Sequence, residues 1–301
     1  MEVCLAVDVG GSKVAAGLVT REGELIAPVH RPVPPAAAAE ELFAVLAATV
    51  AEVDAVHGDR GGHDGAPEVV CCGIGCGGPM DLVTGEVSPL NIPGWRGFPL
   101  RDRVAALTGL PTALDNDAKA LARAEGWVGA ARGRRHYLAM VVSTGVGGGI
   151  VVDGRLVHGA SGNAGHIGHV VVEPDGRPCA CGGRGCLEAE ASGSAIAAVT
   201  GRPAAEAEPA VVARCGRLVG RAVASVVSTL DLELVTVAGS VALGFGAPFF
   251  AAANDELRGR AGLSFTRATA IVPAGLGAAG PLVGAGAVGF EAGADRDGAG
   301  S

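Results

Sequence analysis

The chain has 301 residues, is 49% hydrophobic but only 3% aromatic, contains 50 glycines and carries a formal net charge of −8. That composition supplies core for two medium-sized domains and excludes global disorder. The acidic balance, with no basic stripe, argues against nucleic acid or an anionic membrane surface as a partner. No apolar run reaches the ~18 residues of a membrane span.

"MEVCLAVDVGG" lacks a basic leader and runs straight into a strand pattern, so no signal peptide is expected. Cys71, Cys72 and Cys76 lie in an apolar strand and read as buried free thiols, which suits a cytoplasmic protein. "VCLAVDVGGSKVAAGLVTREGELI" reads as three strands joined by a Gly turn and a tight turn. A helix follows, with Leu42, Val45, Leu46 and Val50 at helical spacing, and then the Gly-rich loop "DRGGHDGAP". "EVVCCGIGCGGPMD" is another buried strand. "FPLRDRVAALTGLP" is a short helix stopped by Gly109 and Pro111.

Strand turns into helix at Asn116–Asp117. "HYLAMVVSTGVGGGIVVDG" is a second strand–Gly turn–strand unit, echoing the first. After a His/Cys segment come a long helix near "ARCGRLVGRAVASVVSTL", the strand "LELVTVAGS", a helix near Ala251–Arg258, the strand "ATAIVPA" and a closing helix. Strands alternating with helices give the α/β class, and the echoed hairpins predict two similar halves facing a cleft.

A Gly-rich turn lets backbone N–H groups approach an anion. In the first hairpin Asp8 precedes Gly10 and Gly11, followed by Ser12 and Lys13; Asp8 would orient Mg²⁺ through water. In the second, Thr144 and Gly145 lead Gly147 and Gly148. Each turn returns into a strand, so neither is a P-loop or a dinucleotide fingerprint. The pair reads as a polyphosphate clamp, where either alone reads equally as an ordinary hairpin.

Asp115, Asn116 and Asp117 stand at a strand-to-helix junction. One N-cap needs one such residue, and three are present. A carboxylate at a helix N-terminus suits the base of a phosphoryl transfer, which needs mainly a positioned hydroxyl. Asp117 is the expected base, with Asn116 hydrogen-bonding the acceptor.

Cys179, Cys181 and Cys186 form C-x-C-x₄-C, and His169 lies ten residues upstream. One imidazole and three thiolates make a closed tetrahedral Zn²⁺ site of the structural type. His166 falls outside that set. The residues alone leave it as a surface group, a competing ligand or a substrate contact.

These segments together resemble the ROK family of sugar kinases over nearly the whole chain. The resemblance is carried by "VDVGGSKVAAGLV", "GIGCGGPMD", "NIPGWRGFPL", Asn116–Asp117, "STGVGGGI", "GHIGHVVVEPDGRPCACGGRGCLE" and "VTVAGSVA". It implies an actin-like (ribonuclease H-like) fold, with two α/β domains flanking a nucleotide and sugar cleft. It also implies ATP with Mg²⁺ and transfer of the γ-phosphoryl to a hexose hydroxyl, usually O6. By position, Asp117 would be the base, and Asn91, Asn116, His169 and Glu188 would hold sugar hydroxyls. Ser143, with Thr144 and Gly145, would belong to the second phosphate motif, and Gly239 to the adenosine side. His169 would serve both Zn²⁺ and sugar.

The resemblance further implies residues 1–115 as a small domain, rejoined by a helix near 279–290, and 116–278 as a large one. A frayed tail is expected over 292–301, and a homodimer is implied. Three departures stand out: Ser12 for Thr, Ala238-Gly239 for Gly-Gly, and His166 where many members have a Glu near sugar C1–C2. Family N-acetylmannosamine kinases resemble this chain in "AGHIGH", whereas "GCGGPMD" and "NIPGWRGFPL" resemble the glucokinase branch. N-acetylmannosamine is therefore expected ahead of glucose and N-acetylglucosamine, with polyphosphate as an alternative donor. The family's regulator class carries a DNA-binding domain ahead of the first motif, which here begins at residue 6.

Overall fold

A computed structural model describes residues 1–34, 36–60 and 67–298. Most of the Gly-rich loop expected at 59–67 and the end of the tail lie outside the described residues. The chain divides into two units. Unit 1 comprises Met1–Ala124, Gly159–Asn163 and the segment from Ala279 on, and unit 2 comprises Glu125–His158 and Ala164–Ala278.

Unit 1 opens with β1 (Glu2–Val9), β2 (Lys13–Thr20) and β3 (Leu25–Pro32), followed by α1 (Ala39–Arg60), β4 (Glu68–Cys76) and a small hairpin of β5 (Met80–Asp81) and β6 (Glu86–Val87). Then come α2 (Leu100–Thr108), β7 (Thr112–Asn116) and α3 (Asp117–Trp127), whose last turn passes into unit 2. Unit 2 holds β8 (Tyr137–Val142), β9 (Val146–Val152), β10 (Arg155–Leu156), α4 (Leu187–Ala191), α5 (Gly193–Thr200), α6 (Pro209–Leu230), β11 (Leu234–Ala238), α7 (Ser240–Phe245), α8 (Ala247–Arg260) and β12 (Ala270–Pro273). The closing helix α9 (Gly280–Gly298) returns to unit 1. The frayed tail expected from 292 is thus helical as far as it is described.

The echo between the two hairpins extends to whole sheets. Unit 1 has strand order β3-β2-β1-β4-β7, and unit 2 has β10-β9-β8-β11-β12. In each, the first two strands pair antiparallel and the last three run parallel.

Alternation sets the two faces of the first sheet. Val3, Leu5, Val7 and Val9 join Leu42, Leu46, Val50 and Val53 of α1 in one core. The opposite face takes α9, where glycines do the packing. A Cβ on Gly73 would fall onto the Ala285 carbonyl, and one on Gly289 would lie 2.9 Å from the Gly73 amide and on top of Cys4 Sγ. Helix backbone therefore rests directly on strand backbone, which only glycine allows.

In unit 2, Gly216 and Gly220 of α6 do the same against the Phe249 and Ala253 carbonyls of α8. The core there gathers Leu138, Met140, Val235 and Val237 from the sheet with Leu218, Val223, Phe249 and Leu257 from the helices. The fully buried Glu125 carboxylate accepts from the amides of Ala130 (2.8 Å), Gly275 (3.0 Å) and Leu276 (3.1 Å), tying two chain turns to the end of α3.

Gly289→Ala tests the backbone-on-backbone contact. The added methyl must displace α9, so urea unfolding should show a loss of about 1–3 kcal/mol, the usual cost of overpacking.

Candidate functional site

In unit 1, parallel register aligns Asp8 of β1 with Gly75 of β4, and Gly75 with Asp115 of β7. All three lie at the carboxyl ends of their strands, where open α/β sheets bind ligands. A Cβ on Gly75 would stand 3.6 Å from Asp8 Oδ1 and 3.6 Å from Asp117 Cα, so Gly75 is the gap between the two acids. Burial first, and then the Asp117 charge, push the Asp8 carboxyl up to about 7 against the opposing charge of Lys13. Two acids in that condition form a ready cation site, because a divalent ion offsets both the burial and the repulsion. The residues present therefore fit Mg²⁺. Cys76, one residue past Gly75, is fully buried; burial and the two carboxylates hold its thiol far above the usual range.

The first turn closes through the Gly10 amide donating to the Lys13 carbonyl (3.0 Å), leaving Ser12 and Lys13 exposed. Asn91 lies beside it: a Cβ on Gly11 would come within 2.7 Å of the Asn91 carbonyl, and one on Gly77 within 3.3 Å of its Oδ1. The loop presenting Asn91 is fixed by Trp95, which is fully buried, stacks on Phe98 at 4.3 Å and donates Nε1–H to the Ala39 carbonyl. Arg96 locks it further through the Pro89, Ile92 and Trp95 carbonyls.

At the α3 junction the three polar residues have separate tasks. Asp115 is 2% exposed and pairs with Lys119 Nζ at 2.6 Å and Arg123 Nη2 at 3.2 Å. Asn116 is the cap, its Oδ1 accepting from the amides of Ala118 (3.0 Å) and Lys119 (3.4 Å). Only Nδ2 of Asn116 could then donate to a sugar. Asp117 is the partly exposed member, on the first turn of α3.

In unit 2, the second turn spans Ser143–Gly145 with Thr144 exposed at its tip. The Ser143 amide donates to the Gly145 carbonyl (2.9 Å), and the Ser143 and Ser240 hydroxyls meet at 2.9 Å. Gly239 has φ 100° and a Cβ there would strike the Val142 backbone, so the position demands glycine. Glu188 Oε2 accepts from the Val146 amide at 2.9 Å, placing this carboxylate against the turn. Gly147 lies in β9 beside the turn, while Gly148 is buried beneath Ile167. Gly148 thus lets the His166–His169 segment settle on β9.

The His/Cys segment gathers as its spacing predicts. His169, Cys179, Cys181 and Cys186 each bring one ligand atom within 4.8 Å of all the others. Cys181 and Cys186 sulfurs are 3.8 Å apart, and Cys179 Sγ lies 3.6 Å from His169 Nδ1. Tetrahedral Zn²⁺ with ~2.3 Å bonds to sulfur and ~2.05 Å to nitrogen requires edges of about 3.8 and 3.6 Å, so the donors fit the ion. Burial and neighbouring sulfurs push the Cys186 thiol up to about 12, so it becomes a thiolate only against a cation. His166 stacks on His169 at 6.0 Å between ring centres, outside the ligand set.

Sequence reasoning missed two buried ionic supports. Glu190, 4% exposed, accepts from the Arg177 amide (2.6 Å), the Arg177 side chain (2.9 Å) and Arg214 (2.7 Å), bracing the Cys loop against α6. Lys119 is fully buried. Its i,i+4 spacing from Asp115 was the available signal.

The sequence model of the ROK family matches residues 4–289. The chain belongs to the ROK family. It is similar to a glucokinase of Thermotoga maritima, 41% identical over 194 residues, which is 64% of this chain and 58% of that one. The match thus spans little more than half the length of that relative. An N-acetylmannosamine kinase of Escherichia fergusonii is 36% identical over 257 residues, covering 80% of this chain and 84% of that one. A ROK glucokinase from Streptomyces griseus, solved in complex with glucose and AMPPNP, superposes with TM-score 0.83 at 30% identity, covering 96% and 99% of the two chains. This ROK chain therefore has the family's actin-like α/β fold.

Two outcomes follow. With its folded-state value near 7 and an unfolded one near 4, Asp8 keeps its proton longer in the folded state. Without divalent cation, stability should fall as pH rises from about 4 to about 7 and level off above. Asp8→Asn should flatten that slope in thermal melts. Separately, metal analysis should find about one Zn²⁺ per chain, and Cys181→Ser should lower metal content and melting temperature together. Because thiolates and neutral imidazole bind the ion, lowering pH should release it.

Proposed function

We propose that this ROK protein is an ATP-dependent sugar kinase, transferring the γ-phosphoryl group to the 6-hydroxyl of a hexose or N-acylhexosamine. The observation that carries the reading is the juxtaposition of Asp8 and Asp117 across Gly75 within one unit. Asp117 accepts the proton of the attacking hydroxyl as its oxygen bonds the γ-phosphorus and the bridging P–O bond to ADP breaks. Helix α3 favours the ionised carboxylate at its N-terminus, and the Asp115–Lys119 pair holds that first turn in place. Asp8 would hold the Mg²⁺ that neutralises phosphate charge. Gly10–Lys13 and Ser143–Gly147 would bind phosphates, and Gly239 would allow close approach of the nucleotide.

Asn91, Asn116, His166, His169 and Glu188 are assigned to the sugar. Zn²⁺ on His169, Cys179, Cys181 and Cys186 would staple the loop and leave the second nitrogen of His169 for a sugar hydroxyl. With its four positions filled, the ion has no place for a water, so its task is architectural. N-acetylmannosamine is the favoured substrate, on His166 and the Escherichia relative. Glucose is the second reading, on the Thermotoga and Streptomyces relatives. A homodimer working in the cytoplasm completes the proposal; among the described residues, no helix is long and apolar enough to cross a membrane.

A coupled ADP-release screen over glucose, mannose, N-acetylglucosamine and N-acetylmannosamine, with ATP and with polyphosphate, tests it. ATP-dependent turnover of one hexose is expected. Asp117→Asn should lower kcat by roughly 10²–10⁴-fold while sugar binding persists. Turnover by that variant within tenfold of wild type would remove Asp117 from its role. His166→Glu should shift preference toward glucose in the same panel.

A further inference from the structure

Within unit 2, the short helix α4 joins the His/Cys cluster to the second Gly turn. Cys186, one of the four donors, is its N-cap residue, and that side chain makes no capping bond. From α4 onward the chain grips the turn at three points. Glu188 Oε2 accepts from the Val146 amide (2.9 Å), the Gly193 amide donates to the Ser143 carbonyl (2.7 Å), and the Ser194 amide donates to the Thr144 carbonyl (3.3 Å). The fit is close: a Cβ on Gly145 would come within 2.8 Å of Glu188 Oε2, and one on Gly193 within 3.0 Å of the Ser143 carbonyl oxygen. The shape of the turn therefore depends on where α4 lies. A helix of five residues does not hold its own orientation, since isolated helices below about 12–15 residues are marginal. Burial of Leu187 and Ala191 sets the depth of α4 but supplies no direction. Glu190 supplies it. Its buried carboxylate accepts from the Arg177 amide (2.6 Å), the Arg177 side chain (2.9 Å) and Arg214 of α6 (2.7 Å). The same two arginines reach the open carbonyls at the end of α4, Arg214 at Glu190 (2.9 Å) and Arg177 at Ala189 (3.3 Å).

We propose that Glu190 is a positioning residue for the second Gly turn: by clasping Arg177 and Arg214 it fixes α4 where Glu188, Gly193 and Ser194 shape Ser143–Val146 to receive a phosphate group. The inference rests on the kinase reading above, which assigns that turn to nucleotide phosphates. A charge withdrawn from water is a weak source of net stability, because its pairing mainly repays its own desolvation. What charge-assisted bonds to arginine do supply is one fixed geometry. Here that geometry is handed directly to the turn, through bonds that all lie within unit 2.

The test uses Glu190→Ala and Glu190→Gln in the full chain. The Arg177 and Arg214 side chains are each 38% exposed, so both can turn to water when the carboxylate is lost, and both variants are expected to fold. The Kd of MgADP, measured by titration calorimetry without sugar, should rise about tenfold in Glu190→Ala. It should rise less in Glu190→Gln, whose amide oxygen still accepts from the Arg177 amide. Hydrogen exchange at the Val146, Gly193 and Ser194 amides, read by NMR, should accelerate in the same order. Ile271→Val, a buried change on the edge strand β12, is the control: it should lower the melting temperature and move neither readout. The proposal is overturned if the MgADP Kd stays at the wild-type value in both folded Glu190 variants, or if Ile271→Val raises it as much. Loss of Zn²⁺ in proportion to the loss of MgADP binding would place the effect in the His/Cys cluster and also overturn it. Should wild type bind no MgADP, the kinase reading fails, and exchange still decides the clasp. Faster exchange at those three amides sustains the hold of Glu190 on the turn, and unchanged exchange refutes it.

Discussion

Two acids separated by a glycine at the carboxyl end of one sheet set the terms for unit 1. Asp8 and Asp117 cannot both be charged there at low cost: burial disfavours the Asp8 charge and Asp117 repels it. The fold keeps them together by placing no side chain at Gly75, between them. Gly75 supplies the gap, burial holds the neighbouring Cys76 thiol protonated, and Asp115 is taken up by its ion pair with Lys119. An arrangement that is unfavourable when empty becomes favourable around a divalent cation, whose charge offsets both the burial and the repulsion.

The second unit handles the same problem differently. Its hairpin turn carries no acid. Instead Glu188 supports the turn from behind through the Val146 amide, and a hydroxyl pair, Ser143 and Ser240, links it to α7. The shared strand order shows one architectural plan used twice. The first unit has carboxylates at this end of its sheet, and the second has hydroxyls at its turn.

Much of this was legible beforehand because the signals were local. Hairpins announce themselves by apolar runs around glycines, the strand-to-helix switch by Asp115–Asp117, and the metal set by cysteine spacing in a loop too polar to bury thiols. What escaped was non-local. No local pattern in the sequence ties Asn163 to Met80, or Glu190 to both Arg177 and Arg214, because such pairings depend on which segments the fold brings together. The short helix α7 escaped for a different reason: its start is defined by the strained Gly239 and not by a capping side chain. Likewise Asn116 reads equally well as cap or sugar contact until its Oδ1 is seen to be engaged.

The glycines carry a consequence beyond packing. Fifty of them lie in this chain, and each gives up more backbone freedom on folding than any other residue. Close approach of helix to strand at Gly73 and Gly289, and of helix to helix at Gly216 and Gly220, is thus obtained against an unusually large conformational entropy in the unfolded chain. Cross-braces offset that entropy: the Glu125 carboxylate gathering three amides and the Glu190 arginine clasp. Each fixes several flexible turns with one group. Multivalent polar braces thus work beside two aliphatic cores in a chain only 3% aromatic.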